Sequence, residues 1–152
     1  MTEVLFYHLE RSKLEDVLPD LLEKTLDRGW RAVVCTRTNE AAAALDEALW
    51  VAREESFLPH AAGGDAAFAA RQPVWITASD DAPNGAQVLF LVEGAARAPD
   101  ALSGFARCVS IFDGADAAAT EAARVFWKAC KEAGHAVAYW RQTEEGRWEK
   151  RG

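Results

Sequence analysis

Val4-Leu5-Phe6-Tyr7-His8-Leu9, a helical stretch from Ser12 to Gly29, and Ala32-Val33-Val34-Cys35 decide the fold class. Both outer segments are short apolar runs of strand length, rich in β-branched and aromatic residues. Between them Leu14, Val17, Leu18, Leu21, Leu22 and Thr25 recur at three- and four-residue spacing, which lays them on one helical face. Ser12 is placed to cap that helix and Gly29 to end it, while Pro19 falls inside the pattern and should kink or delay its early turns. A strand, a helix and a second strand in this order point to an α/β layer with a largely parallel sheet.

The alternation continues outward. Thr38 caps an alanine-rich helix that runs to about Trp50 with Ala41, Leu45, Ala48 and Leu49 on one face. From Val51 to Gln72 both periods fade, and Gly63-Gly64 among alanines suggests a loop with a short helix. Val74 to Thr77 and Val88 to Val92 are further strands, separated by a turn on Asp80-Asp81, Pro83 and Asn84-Gly85. Cys108 to Phe112 is a fifth strand and Asp116 to Ala133 the longest helix, ended by Gly134. Ala136 to Trp148 reads as a hairpin turning near Glu145-Gly146. The expected architecture is one α/β domain spanning 1–152, a mostly parallel sheet flanked by helices, with a C-terminal hairpin.

Composition excludes several function classes. Half of the 152 residues are hydrophobic and 27% charged, which is globular composition. No apolar run approaches the ~20 residues of a membrane span, so a soluble, cytoplasmic protein is expected. Cys35, Cys108 and Cys130 are isolated and odd in number, a pattern of buried thiols rather than of disulfides or a zinc site. The net charge of −7 argues against direct DNA binding, which needs clustered cations. The charge is uneven, however. From Arg124 onward seven Lys/Arg face four Asp/Glu, net +3, whereas the preceding residues carry ten against twenty, net −10. A cationic end on an acidic body suits a specific acidic partner.

Catalytic signatures do not emerge. The first strand leads into His8-Leu9-Glu10-Arg11-Ser12, without the glycine that lets backbone amides cradle a phosphate. Gly63-Gly64-Asp65 lacks a following lysine and reads as a turn. His8, His60 and His135 have no metal-ligand spacing, and adjacent Asp46 and Glu47 point about 100° apart on their helix. Neither a cofactor nor a metal is expected.

Two constellations stand out. On the last helix Ala118, Ala122, Val125, Phe126, Ala129, Cys130 and Ala133 fall together as a core stripe. Arg124, Trp127, Lys128 and Lys131 fall opposite, at i, i+3, i+4 and i+7. Two readings of Trp127 stand side by side. Either it tucks under a neighbouring loop or the hairpin, or it floors an apolar pocket whose rim cations read the carboxylates of an acidic peptide. The other constellation is Leu45-Asp46-Glu47-Ala48-Leu49-Trp50 followed by Ser56-Phe57-Leu58-Pro59-His60. Trp50 lies about 140° from Leu45, off the core face, and Phe57 and Pro59 sit in an irregular segment. Singly these are core residues of a closing loop; clustered, they have the look of a partner-binding patch.

The 45–60 block closely resembles the signature region of the chi subunits of bacterial DNA polymerase III. The likeness extends to Phe6-Tyr7, to Gln72-Pro73-Val74 and to Ala133-Gly134. It implies a Rossmann-like domain without a catalytic role of its own. Chi subunits bind psi, which anchors them to the clamp loader, and grip the acidic, phenylalanine-terminated tail of single-stranded-DNA-binding protein. The resemblance places the tail site on the last helix, with Arg124 and Trp127 matching a basic and an aromatic position. Another family lysine falls at Thr120, for which Lys128 or Lys131 would compensate. The surface facing psi includes the residues matching Trp50 and Phe57, with Pro59 beside them, and in some relatives a repair helicase uses it. Rival expectations are a helicase-associated or self-associating scaffold and, more remotely, a degenerate nucleotide-binding enzyme. The hairpin after Trp140 extends beyond the shorter family members and receives no role from the resemblance.

Overall fold

The computed structural model describes residues 2–10, 12–51, 61–62, 69–79, 82–145 and 147–151. Eight strands among them are β1 (Glu3–Leu9), β2 (Ala32–Cys35), β3 (Ala61–Ala62), β4 (Val74–Thr77), β5 (Val88–Leu91), β6 (Arg107–Asp113), β7 (Ala136–Gln142) and β8 (Trp148–Lys150). Three helices, α1 (Leu14–Asp27), α2 (Asn39–Val51) and α3 (Ala117–Glu132), alternate with them. The strands form one sheet in the order β3-β4-β2-β5-β6-β1-β7-β8, parallel except for the final β7–β8 pair. The domain is therefore the expected Rossmann-like α/β layer with a C-terminal hairpin. The two-residue β3 lies in the stretch where neither sequence period was legible.

Central β2 and β5 are buried along their whole length, which is why they read as unbroken apolar runs rather than alternating ones. Cores lie on both faces. Val17, Leu18 and Leu22 of α1 and Ala42, Leu45 and Leu49 of α2 pack on Val34, Ile76, Phe90 and Ile111. On the opposite face Ala123 and Cys130 of α3 cover Val4, Phe6, Leu89, Cys108 and Phe112. All three cysteines are free and buried, and burial pushes the Cys130 thiol up to about 11.

Local expectations hold where backbone chemistry decides them. The Thr38 hydroxyl accepts from Ala41 N at 3.0 Å, and the Asp116 carboxylate accepts from Ala118 N and Ala119 N, capping α2 and α3. Gly29 and Gly134 follow α1 and α3 with φ of 78° and 88°, the left-handed conformation glycine adopts without strain. Ser12 is a correction. Lys13, with no side-chain cap, occupies the N-cap of α1, because the Ser12 hydroxyl is taken by Gln142 Nε2 at 2.9 Å. Pro19 neither ends nor delays α1, and packs buried inside it.

Asp80-Asp81, His60 and Gly63-Gly64-Asp65 lie outside the described residues. In the same turn Asn84 is buried and its amide donates to Ala32 O and Gln72 O, both at 3.0 Å, tying the turn to β2.

Candidate functional site

The site is built where α3 crosses β1 and β7. Residues of even number on β1 and odd number on β7 share the sheet face toward α3, and the register pairs Phe6 with Tyr139 and His8 with Arg141. Phe6 is fully buried at the centre of an aromatic cluster. Its ring meets Phe126 at 5.7 Å, Trp127 edge-on at 5.5 Å and Tyr139 in a stack at 6.4 Å between centroids. Trp127 also meets Tyr139 edge-on at 5.9 Å. Edge-to-face and offset-stacked geometries align the rings' quadrupoles favourably, so the cluster contributes beyond its buried area.

This corrects the helix face read from the sequence. Trp127 does not stand on the polar face. It is turned into the sheet, partly buried, while Val125, assigned to the core stripe, is 60% exposed, and Ala118, Ala122 and Ala133 are exposed as well. The helix is rotated by roughly one residue's angle, ~100°, from the expected orientation. The cause is size. Phe126 and Cys130 belong to both faces, but seating Trp127 against Phe6 and Tyr139 removes far more apolar surface from water than seating Val125 and alanines in its place.

The rotation leaves the cations in place. Arg124, Lys128 and Lys131 remain exposed along the flank that Trp127 borders. Arg124 has a single loose partner among the described residues, Glu121 at 3.7 Å, and neither lysine is ion-paired there. Thr120, where the resemblance expects a lysine, donates its hydroxyl back to Asp116 O at 3.0 Å. The arrangement is a half-buried aromatic floor beside a row of unneutralised cations, able to hold an apolar side chain and read carboxylates next to it.

A polar relay that the sequence did not suggest runs along the floor's end. Tyr139 Oη lies 2.5 Å from His8 Nδ1, His8 Nε2 lies 3.6 Å from Glu10 Oε1, and Arg141 Nε donates to the same Glu10 oxygen at 2.5 Å. Burial holds the His8 imidazole below its usual pKa, with the Arg141 guanidinium acting in the same direction against Glu10 and Asp113. In the tautomer that keeps its proton on Nε2, toward the Glu10 carboxylate, His8 accepts the Tyr139 hydroxyl at Nδ1. Gly114 makes the packing possible, since a Cβ there would collide with the His8 ring and approach Leu9 O within 2.7 Å. A depressed histidine pKa means that the unfolded chain binds a proton the native fold resists, so stability is lost as pH falls through the unfolded value of ~6.5 toward the folded one. Thermal unfolding between about pH 7 and pH 5 should therefore show a falling midpoint, with a shallower fall in His8→Gln. Equal slopes for the two proteins would remove His8 from the account.

At the carboxyl ends of β5, β6 and β1 a groove of about 970 Å³ opens beside Leu91, Glu93, Phe112, Asp116 and Phe126. Open α/β sheets bind ligands at such a topological switch point. Here two amides of the β1–α1 turn and the first amides of α3 are engaged internally. Glu10 N and Ser12 N of the β1–α1 turn donate to Gln142 Oε1 at 3.2 and 3.3 Å, and Asp116 occupies the α3 amides. Among the described residues no group of three or more His, Cys, Asp or Glu side chains is arranged to hold a metal ion, and no helix is long and apolar enough to cross a membrane.

The family model of the DNA polymerase III chi subunit, HolC, matches residues 1–138. The chain belongs to the chi subunit family. No curated protein matches it. The match to the chi model spans every element from β1 to α3 and stops inside β7, so that the aromatic floor is within it except for Tyr139, and the hairpin lies beyond. Of the residues expected to face a further subunit, the Trp50 backbone closes α2, whose Leu45 and Leu49 are buried. Phe57, Pro59 and the Trp50 side chain lie outside the described residues. Tyr139, Phe6, His8 and Arg141 carry a faint signal in the sequence, the every-second-residue alternation of β1 and β7, but nothing in that pattern tells which helix the face meets.

Proposed function

We propose that this chi-family protein is a non-catalytic adaptor of the polymerase III holoenzyme, linking the clamp loader, through psi, to the acidic C-terminal tail of single-stranded-DNA-binding protein. The observation that carries this is the partly buried Trp127–Tyr139 floor, seated on buried Phe6 and bordered by exposed Arg124, Lys128 and Lys131 on a chain of net charge −7. A terminal phenylalanine needs an apolar surface and its carboxylate a permanent cation, and the α3 flank offers both side by side. Tail recognition rather than nucleotide chemistry is further supported by Gln142, which engages Glu10 N and Ser12 N of the β1–α1 turn. Calorimetric titration with a synthetic acidic peptide ending in phenylalanine, beside its C-terminally amidated form, tests the proposal. Saturable binding that the amide loses supports it; equal binding of the two peptides places the docking site elsewhere.

Psi is proposed to meet the patch at Trp50, Phe57 and Pro59. Phe57→Ala, and to a smaller extent Trp50→Ala, should leave a folded protein that the loader retains poorly, because such anchors are worth about 2 kcal/mol or more at an interface centre. Full co-purification of both folded variants with the loader would misassign the patch, and unfolding of both would make these residues core.

A further inference from the structure

The hairpin beyond the family match is fastened to the domain from several sides. β8 pairs with β7 through Trp140–Lys150, Arg141–Glu149 and Gln142–Trp148. Trp148 meets Tyr7 edge-on at 5.0 Å, and Trp140 stacks on Tyr7 at 6.3 Å. Gln142 is buried and ties the strand end to the β1–α1 turn. This is a fixed wall, and alternation decides what it shows to each side. Trp140, Gln142 and Trp148 point to the α1 face, whereas Tyr139, Arg141, Glu149 and Arg151 point to the α3 face. Arg151 N donates to Tyr139 O at 2.7 Å, which sets Arg151 opposite the tyrosine of the aromatic floor, one strand farther from α3.

We propose that the hairpin forms a second wall beside the α3 tail site, in which Arg141 and Arg151 read the acidic stretch upstream of a docked peptide's terminal residue. The inference rests on the α3 tail site proposed above. Burial pushes the Tyr139 hydroxyl pKa up, and the Arg141 and Arg124 guanidinium groups both act electrostatically against it, so cations of the hairpin and of α3 share one tyrosine. Arg141 and Arg151 are half exposed, each held by one carboxylate, Glu10 at 2.5 Å and Glu149 at 3.6 Å. An incoming acidic chain therefore finds guanidinium groups already oriented, with free donor edges. A nucleic-acid backbone needs an extended track of cations, which a chain of net charge −7 does not offer, whereas a short acidic peptide continuing from the α3 site needs only a few, so a peptide is the occupant.

The test pairs two peptides ending in phenylalanine, a short one with a single acidic residue and a long one with an extended acidic run. They are titrated into the parent protein, into the double variant Arg141→Gln/Arg151→Gln and into Arg124→Ala. The double variant should bind the long peptide about three- to tenfold more weakly and the short one unchanged, as expected for two exposed charge contacts. Arg141→Lys/Arg151→Lys should retain most of the long peptide's affinity, which a merely structural role for the arginines would not predict. Equal loss for both peptides, or no loss for either, overturns the second wall. If Arg124→Ala weakens both peptides while the double variant weakens neither, only the hairpin inference falls. If Arg124→Ala weakens neither, the α3 site falls and its wall with it. Displacement of the long peptide by a single-stranded oligonucleotide, weakened by the same double variant, would reassign the wall to nucleic acid.

Discussion

Arg124→Ala should weaken binding of the acidic, phenylalanine-terminated peptide about thirtyfold, or ~2 kcal/mol. In the free protein this arginine is exposed and, among the described residues, ion-pairs with Glu121 alone, at 3.7 Å, a pair worth little in water. The larger effect arises in the complex. Once the terminal ring lies against Trp127, the α-carboxylate beside it is screened from water, and a guanidinium satisfies it through two parallel hydrogen bonds. Removing the guanidinium leaves a partly buried carboxylate without its partner, which costs more than an exposed ion pair contributes. Amidating the peptide should cost the parent protein a similar amount and the Arg124 variant little more, because both changes delete one contact. Full additivity of the two changes would show that Arg124 reads something other than the terminal carboxylate. Rising salt should weaken the complex gradually, without the steep power-law loss of a DNA binder.

The second large effect is on stability. Phe6→Ala should cost about 3–5 kcal/mol, a substantial share of the ~5–15 kcal/mol that holds a typical domain together. Phe6 is fully buried and is the ring on which Phe126, Trp127 and Tyr139 all rest, so truncation opens a cavity that none of them can fill without leaving the others. For a chain of this length the midpoint should fall by on the order of 10 °C. Val125→Ala should change stability by no more than about 0.5 kcal/mol, since Val125 is 60% exposed. Trp127→Ala should fall between the two and also weaken peptide binding, because one ring packs the helix and floors the site. A Val125→Ala cost equal to that of Trp127→Ala would restore the helix face read from the sequence and overturn the rotated one. Denaturant unfolding of the three variants decides between them.

The order of elements, the parallel sheet, the caps at Thr38 and Asp116 and the stops at Gly29 and Gly134 were legible in the sequence, because each depends on residues within a turn or two of itself. The 45–60 block pointed to the chi family in the same way, as a local pattern, and the family match agrees. The cations of the last helix were also legible, since their spacing alone places them on one flank. What the sequence could not settle was how far α3 is rolled on the sheet. Its alanines make several faces nearly equally apolar, so periodicity does not choose among them. Phe6 and Tyr139, some 120 and 12 residues from Trp127 in the chain, make the choice by offering aromatic surface that alanines cannot match. Ser12 was likewise lost as a cap to Gln142, a competitor 130 residues away. The hairpin's role follows the same rule. Its charges were visible as charges, but only pairing with β7, which sends alternate side chains to opposite faces, brings Arg141 and Arg151 to the side of the sheet where α3 lies.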